Sequence, residues 1–273
     1  MAAATAFGFL KRELQAAGTA FQLLTRIPVP VAIPFTPEML ARSVVYYPVV
    51  GAVIGGAAAA AGAGLAGRVP AMPAAVLLVA FWLLLTGGLH LDGLMDTADG
   101  VFSHRSRERM LEIMKDSRVG AMGVLAAIVL LLFKFSLLDV WLEQGRNWPA
   151  EAALLALACG WSRLWVAVAM AFWPFARADE GMAVLFRGVK ARHALAAAAV
   201  QAVLTGVAAL ALPAPEGGWL AAIAVSAALA AAAGSLLAWR LCRKLGGLTG
   251  DTYGAMTEIL EAILLFALVL QLH

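Results

Sequence analysis

The chain has 273 residues, of which 63% are hydrophobic and 14% charged, and its formal net charge is +3. Soluble domains have roughly 45–50% apolar and 25% charged residues, so a mean hydropathy of +0.87 excludes an ordinary soluble protein. The basic residues are scattered among several segments instead of forming one stripe, which argues against a nucleic-acid partner. No linker is long enough to separate two folded units, and we predict a single domain over residues 1–273.

The N-terminal segment mixes apolar and charged residues. Residues 6–24 have the pattern of a helix that lies in the membrane interface without crossing it. They lack a charged start followed by an apolar core and a cleavage site, so we expect no removable signal peptide. Pro28, Pro30 and Pro34 cannot continue a helix, and they predict an extended loop over the cytoplasmic face.

Seven apolar runs are long enough to cross a bilayer, and they predict an all-α, polytopic integral membrane bundle. They lie at residues 44–66, 73–91, 119–140, 150–173, 192–213, 218–240 and 255–272. If the N terminus is inside, the loops on the opposite side contain only Arg68 and Arg146, whereas the inner segments hold most of the basic residues. Because Lys and Arg accumulate in cytoplasmic loops, we expect this orientation, in the cytoplasmic (inner) membrane.

Three aspartates follow the second predicted span. Asp92, Asp96 and Asp99 have helical offsets of four and seven, which place their carboxylates within roughly 60° of one helix face. Such like charges repel one another beside lipid, and divalent cations such as Mg²⁺ are the simplest explanation for their grouping. We expect the small residues Gly93, Ala98 and Gly100 to leave room there for a bulky anionic substrate.

A second acidic group comprises Asp251, Glu258 and Glu261, near the last span. The glycines flanking Asp251 suggest a backbone shaped around a ligand, with amides available to phosphate. We predict that Asp251 is a metal ligand or a base and that Glu258 has a similar role. Glu261 either joins them or forms a structural pair with an intramembrane base such as Arg163, because an ionised group in a span needs a partner.

Basic residues offer partners for a phosphate. Lys115, Asp116, Ser117 and Arg118 stand at the mouth of the third span, and we expect this segment to bind the phosphates of a substrate. Arg163, in the middle of a span, either pairs with an acid or reaches an anionic substrate. Lys134 is closer to the far end of its span, where we expect it to extend toward water.

The chain resembles the cobalamin synthase family, the adenosylcobinamide-GDP ribazoletransferases. The resemblance lies in residues 21–30, 47–51, 89–100, 113–123 and 248–261. It implies a Mg²⁺-dependent membrane enzyme that joins adenosylcobinamide-GDP to α-ribazole or α-ribazole phosphate and releases GMP. Asp92, Asp96, Asp99 and Asp251 then hold the metal, Asp251 or Glu258 accepts a proton, and Arg26, in the first matching segment, joins the substrate-binding residues.

Two alternatives to this function stay open from the sequence. One is a phosphotransferase that makes lipid head groups from a CDP-alcohol type of donor. The other is a cation-coupled transporter, which would bring acids and broken helices together near the bilayer midplane. Besides its substrates and membrane lipid, the protein could have a second copy of itself or other enzymes of cobalamin synthesis as partners, and the sequence does not decide between these.

Overall fold

The fold is all-α, as the sequence predicted. The computed structural model describes residues 2–144, 148–177, 180–215 and 217–271. Over these residues the chain forms twelve α-helices and one 3-10 helix, without an extended β-strand. The α-helices are α1 Ala2–Leu24, α2 Pro37–Ser43, α3 Tyr47–Leu65, α4 Ala71–Thr86, α5 Leu89–Val101, α6 Arg107–Ile113, α7 Ala121–Gln144, α8 Trp148–Phe172, α9 Met182–Phe186, α10 Ala191–Ala211, α11 Gly218–Leu245 and α12 Gly250–Leu270, and the 3-10 helix Val44–Tyr46 joins α2 to α3.

Six segments are long and apolar enough to span a membrane, and each overlaps one of the predicted spans. They are Pro37–Leu65, α7, α8, α10, α11 and α12. The seventh predicted span, residues 73–91, is interrupted in the structure, because α4 ends at Thr86 and α5 leaves it at an angle of 90°. Within the described residues, the chain is therefore a multi-pass membrane protein with six spans, or seven if the bent pair crosses as one.

The bend between α4 and α5 is caused by two consecutive glycines. Gly87 and Gly88 have φ angles of 64° and 70°, in the left-handed region that other residues adopt only at a cost. The amides of both glycines bond to carbonyls of the last turn of α4, as in a common helix C-cap. The helix that carries the three aspartates is consequently a separate element that turns away from α4.

The N-terminal helix is attached to the start of the first spanning segment. Glu13 of α1 accepts a hydrogen bond from the Tyr46 hydroxyl at 2.7 Å and pairs with Arg42 at 2.8 Å. Residues 25–36 are not helical, in agreement with the loop that the prolines predicted. The described part of α1 is not apolar enough to count as a span, and its position in the membrane interface stays a prediction.

The centre of the bundle is formed by α8 and α12. In the most apolar 18-residue stretch of each helix, 78% of the residues are buried in α8 and 72% in α12, compared with 22% in α10 and 17% in α11. Gly51 and Gly55 let α3 approach α8 so closely that an added Cβ would overlap the α8 backbone. This agrees with the expectation that small residues allow close packing of helices in lipid.

Candidate active site

Close contact between α5 and α12 brings the two acidic groups together. A Cβ added to Gly93 would lie 2.7 Å from the backbone oxygen of Asp251, and one added to Gly254 would lie 3.0 Å from that of His90. Real Cβ atoms do not come as close as the first of these distances, so glycine is required where the two backbones touch. As a result, Asp92 and Asp251 border the same cavity although they are far apart in sequence.

The first turn of α12 holds Asp251 in place. Thr249 is the N-cap, since its side chain accepts a hydrogen bond from the amide of Thr252, and the Thr252 hydroxyl accepts one from the Thr249 amide. The Thr249 hydroxyl also donates to Asp251 at 3.3 Å. The helix begins at Gly250, five residues before the predicted span, and this capping arrangement explains the difference.

Two loops meet beside this turn and add a basic residue to the site. The Ala176 amide donates to the Leu248 carbonyl at 2.9 Å, and the Leu248 amide donates to the Pro174 carbonyl at 2.8 Å. This pairing places Arg177 where its positive charge acts on Asp251, while its guanidinium also donates to the Leu111 carbonyl. From the sequence, Arg177 is only one of the basic residues of the inner segments, because nothing local links it to an acid 74 residues later.

A cavity of about 190 Å³ lies between the ends of these helices. Its polar lining comes from α3, α5, α8 and α12, and its apolar lining comes mainly from α1, α8, α9 and the loop before α9. The polar residues are Tyr47, His90, Asp92, Arg163, Asp251, Tyr253 and Thr257, and the apolar ones include Leu23, Leu24, Val166, Met170, Phe175 and Phe186. One acid from each acidic group therefore faces a partly apolar pocket.

The carboxylates near the cavity repel one another. The negative charges of Asp251, Asp92 and Asp99 all act on the half-buried Asp96. Within the described residues, Asp92, Asp96 and Asp251 form no ion pair with a basic side chain. Their oxygens are the kind of ligand that Mg²⁺ prefers.

Asp99 differs from its neighbours because both of its oxygens already have partners. It accepts hydrogen bonds from the Gly120 amide at 2.7 Å and the Gly123 amide at 2.8 Å, and so it caps the start of α7. In the part of the chain that the structure describes, no three acidic, His or Cys side chains are close enough together to form a complete metal site. The metal roles of all four aspartates stay predictions.

Two of the three small residues beside the aspartates do not provide the open space that we expected. Gly100 packs against Met110 and Met114 of α6 and the turn after it. Ala98 is buried with 4% of its surface exposed. The expectation of substrate space was wrong for these two, whereas Gly93, which also packs against the backbone of Asp251, borders the cavity next to Asp92.

The basic segment after α6 lies outside the cavity. Lys115 pairs with Glu180. The Arg118 guanidinium donates two hydrogen bonds to the Asp116 carboxylate, from Nη2 at 2.6 Å and from Nε at 3.0 Å. These hydrogen bonds lower the pKa of the exposed Asp116 to about 2. Ser117 is exposed. The binding roles predicted for these four residues are untested, and Lys115 and Arg118 would have to exchange a carboxylate for a phosphate.

Arg26 lies at the bend between α4 and α5. Its amide donates to the Leu85 carbonyl at 2.8 Å, and its side chain covers Gly87 so closely that a Cβ there would overlap it. The guanidinium is exposed and has no ion-pair partner within the described residues. This position, near the start of the aspartate helix, is compatible with the predicted contact to substrate, which stays a prediction.

A buried network of two cations and two anions lies deeper in the bundle. Lys134 of α7 contacts Glu258 at 2.6 Å and Glu261 at 2.7 Å, and Arg163 of α8 pairs with Glu261. This confirms the structural alternative for Glu261 and shows that Arg163 pairs with an acid, although Arg163 also borders the cavity. The expectation that Lys134 extends toward water was wrong, since 5% of it is exposed and its ammonium lies 4.9 Å from the Trp82 ring.

Glu258 is placed differently from Asp251. Its carboxylate bonds to Lys134, 3% of its surface is exposed, and it does not line the cavity, which Thr257 borders instead. Its predicted role as a base is untested. The structure nevertheless separates the two candidate bases of α12, with Asp251 in the cavity wall and Glu258 in the buried network.

Replacing Gly93 by alanine is expected to separate α5 from α12. The new methyl group would overlap the Asp251 backbone, so the acids on the two helices would move apart and activity would fall at least about tenfold, with a stability loss of about 1–3 kcal/mol. Thermal unfolding and turnover of purified protein measure both effects. Gly206→Ala is the control, because nothing lies within 4 Å of a Cβ at Gly206. Equal activity in the two variants would show that the close contact is not needed.

The fold and the site together define a polytopic membrane protein with a carboxylate-lined cavity at its helix ends. Its sequence matches the family described as cobalamin-5-phosphate synthase over residues 16–269. The chain belongs to this family, which confirms the resemblance seen in its motifs.

Relatives from distant bacteria are similar over nearly the whole chain, and each is named adenosylcobinamide-GDP ribazoletransferase. The protein from Roseiflexus sp. (strain RS-1) is 42% identical over 253 residues, which cover 93% of this chain and 88% of the relative. The Brevibacillus brevis protein is 40% identical, covering 92% of this chain and 96% of the relative. The protein of Escherichia coli (strain K12 / DH10B) is 38% identical, covering 90% and 96%. No solved structure is significantly similar to the chain.

Proposed function

We propose that this protein is an adenosylcobinamide-GDP ribazoletransferase. The observation that carries this proposal is the similarity of the chain, over at least nine-tenths of its length, to relatives that all have this name. The reaction transfers adenosylcobinamide phosphate to α-ribazole or its phosphate, releases GMP and completes the nucleotide loop of cobalamin. The shared name favours this function over a lipid phosphotransferase or a cation-coupled transporter.

The reaction is a displacement at phosphorus. A ribose hydroxyl oxygen of the acceptor forms a bond to the phosphorus on the cobinamide side of the donor diphosphate. The bond from that phosphorus to the bridging oxygen breaks, and GMP leaves with the bond's electron pair. The hydroxyl proton needs an acceptor, and the transferred group needs positive charge near its oxygens.

We propose Asp251 as the proton acceptor. It lies in the cavity wall, its position is fixed by the N-cap of α12, and no basic side chain in the described chain forms an ion pair with it. Glu258 is the weaker candidate because its carboxylate is bonded to the Lys134 ammonium.

Mg²⁺ suits the oxygen ligands of the site. Asp92, Asp96 and Asp251 would hold it, and because they do not form a complete metal site alone, the donor diphosphate would supply further oxygens. When bound, the ion neutralises negative charge on the diphosphate and on departing GMP. Asp99, whose oxygens are bonded to Gly120 and Gly123, would mainly hold the aspartate helix against α7.

Basic residues around the acids would attract the phosphates. Arg177 lies near Asp251, and Lys115 and Arg118 follow α6. Arg118 is exposed, so its bond to Asp116 is a surface pair that costs little to exchange. The distribution of basic residues supports an orientation in the inner membrane in which the site lies on the cytoplasmic side. Lipid would then surround the spanning helices.

The function is tested with the purified full-length protein in detergent or nanodiscs. With adenosylcobinamide-GDP, α-ribazole and Mg²⁺, we expect GMP release that stops on chelation of the metal and returns when Mg²⁺ is restored. Nucleotide release is followed by chromatography. Release of CMP from CDP-diacylglycerol, with no GMP from adenosylcobinamide-GDP, would instead support the lipid phosphotransferase.

The assignment of the base is tested by two conservative changes. Asp251→Asn is expected to lower kcat at least about a hundredfold, which is the usual contribution of a general base. Glu258→Gln is expected to lower kcat less and to lower the unfolding temperature more, because it weakens a buried ion pair. The reverse order of the two kcat values would assign the base to Glu258.

A further inference from the structure

Three buried polar side chains in the cavity wall have atoms without a hydrogen-bond partner. They are Nδ1 of His90, Nε and Nη2 of Arg163, and the hydroxyl of Tyr253, none of which has a partner within the described residues. The exposed fractions of these side chains are 4%, 1% and 6%. Buried polar groups nearly always have partners, so the grouping of three around one cavity indicates that a bound molecule supplies a partner to at least one of them. The guanidinium can only donate, and the ligand must therefore carry an acceptor.

The buried network, which reaches the deep part of the cavity through Arg163, is electrically balanced. The charge of Arg163 is compensated by Glu261, and that of Lys134 by Glu258, so this region has two positive and two negative charges. The unbalanced charges of the wall are those of Asp92 and Asp251. An anion would gain nothing in the deep part of the cavity and would be repelled by these two acids. The deep part therefore suits a neutral ligand.

The volume and lining of the cavity indicate an apolar ring system. Val166, Met170 and Phe175 contribute apolar walls. A protein cavity of about 150 Å³ can hold benzene, so a volume of about 190 Å³ has room for a larger ring but not for a whole nucleotide. A neutral bicyclic aromatic base fits this volume and the apolar walls, and its ring nitrogen can accept from one of the unpartnered donors.

We propose that this cavity binds the benzimidazole base of α-ribazole. The ring nitrogen accepts a hydrogen bond from the buried donors, and the ribose extends toward Asp92 and Asp251 at the acidic side of the cavity. This inference rests on the proposed function and specifies which substrate occupies the pocket. It also explains why the acceptor hydroxyl arrives beside Asp251, since the base fixes the position of the nucleoside.

The test changes the size of the cavity at Val166, which is buried with 5% exposure. Val166→Phe is expected to raise the KM for α-ribazole at least tenfold and to change the KM for adenosylcobinamide-GDP less than twofold. Val166→Ala is expected to lower the KM for an acceptor riboside with a three-ring base, naphthimidazole, at least threefold relative to the unchanged protein. The control is Val129→Phe, which adds the same bulk at a residue of α7 with 66% exposure.

Each outcome decides the inference separately from the function. If the unchanged protein releases GMP but Val166→Phe raises the KM for the donor and not for α-ribazole, the pocket binds guanine and the inference is wrong. If neither KM changes in a folded Val166→Phe protein, the pocket binds neither base. If that variant does not fold, the response of Val166→Ala to the larger base decides, and no response overturns the inference. Absence of GMP release from the unchanged protein would contradict the proposed function itself.

Discussion

Asp96→Asn is expected to abolish GMP release, with a loss of roughly a thousandfold or more, the scale of losing one electrostatic element in phosphoryl transfer. Asp96 is acted on by the charges of Asp92, Asp99 and Asp251, so acids of both groups affect it. If the proposed Mg²⁺ site is correct, replacing Asp96 by a neutral side chain weakens Mg²⁺ binding, and it also relieves repulsion between like charges. We therefore expect the variant to be inserted normally and to unfold at the same temperature or a higher one.

The measurements are the rate of GMP release and calorimetry of Mg²⁺ binding in the presence of donor. Glu112→Gln is the matched control, because Glu112 is an exposed carboxylate whose partner is a surface arginine, Arg109. It should keep full activity, since exposed ion pairs contribute about 0–1 kcal/mol. Full activity of Asp96→Asn, or unchanged Mg²⁺ affinity, would refute the metal assignment.

Lys134→Met is expected to be the most destabilising single change, at about 3–5 kcal/mol, because it leaves a buried charge without its partner. Glu258 and Glu261 would then face each other with Arg163 as the single remaining cation of the network. The loss is measured by thermal unfolding of the purified protein in detergent. Lys11→Met is the control, since it removes the same charge from an exposed position on α1.

The double variant Lys134→Met with Glu258→Gln distinguishes the loss of charge pairing in the network from the loss of side-chain packing. It removes one charge of each sign, and we expect it to be more stable than Lys134→Met alone. If both proteins were equally unstable, the role of Lys134 would lie in its packing against Trp82 and not in its charge. If Lys134→Met alone unfolded at the same temperature as the unchanged protein, the network would not stabilise the fold.

The spanning helices were predictable because a bilayer demands long apolar runs, but the bend in the second one was not. The bend was not visible in the hydropathy of the sequence, because hydropathy depends on composition and the two glycines, Gly87 and Gly88, do not interrupt an apolar run. Their left-handed conformation is a backbone property that becomes visible only when α4 stops and α5 turns away. The aspartate face of α5, by contrast, follows from helical offsets alone, and the structure contains it.

The site was predictable where residues are close in sequence and unpredictable where they are not. Asp92 and Asp251 could be singled out as acids near spans, but their shared cavity depends on the contact through Gly93 and Gly254. Lys134 lies 124 residues before Glu258, and local reasoning about a lysine in a span could not find that partner. The same holds for Arg177, which reaches the neighbourhood of Asp251 through the pairing of two loops.

The anchoring of the segment after α6 limits how far its positive charges can travel. Met114 packs against Gly100 at one end, and Gly120 donates to Asp99 at the other, so both ends are attached to α5. The five residues between them, 115–119, can extend no more than about 18 Å. Lys115 and Arg118 are therefore held within this distance of the aspartate helix, so the positive charges of the segment stay tethered to the helix that carries the acids.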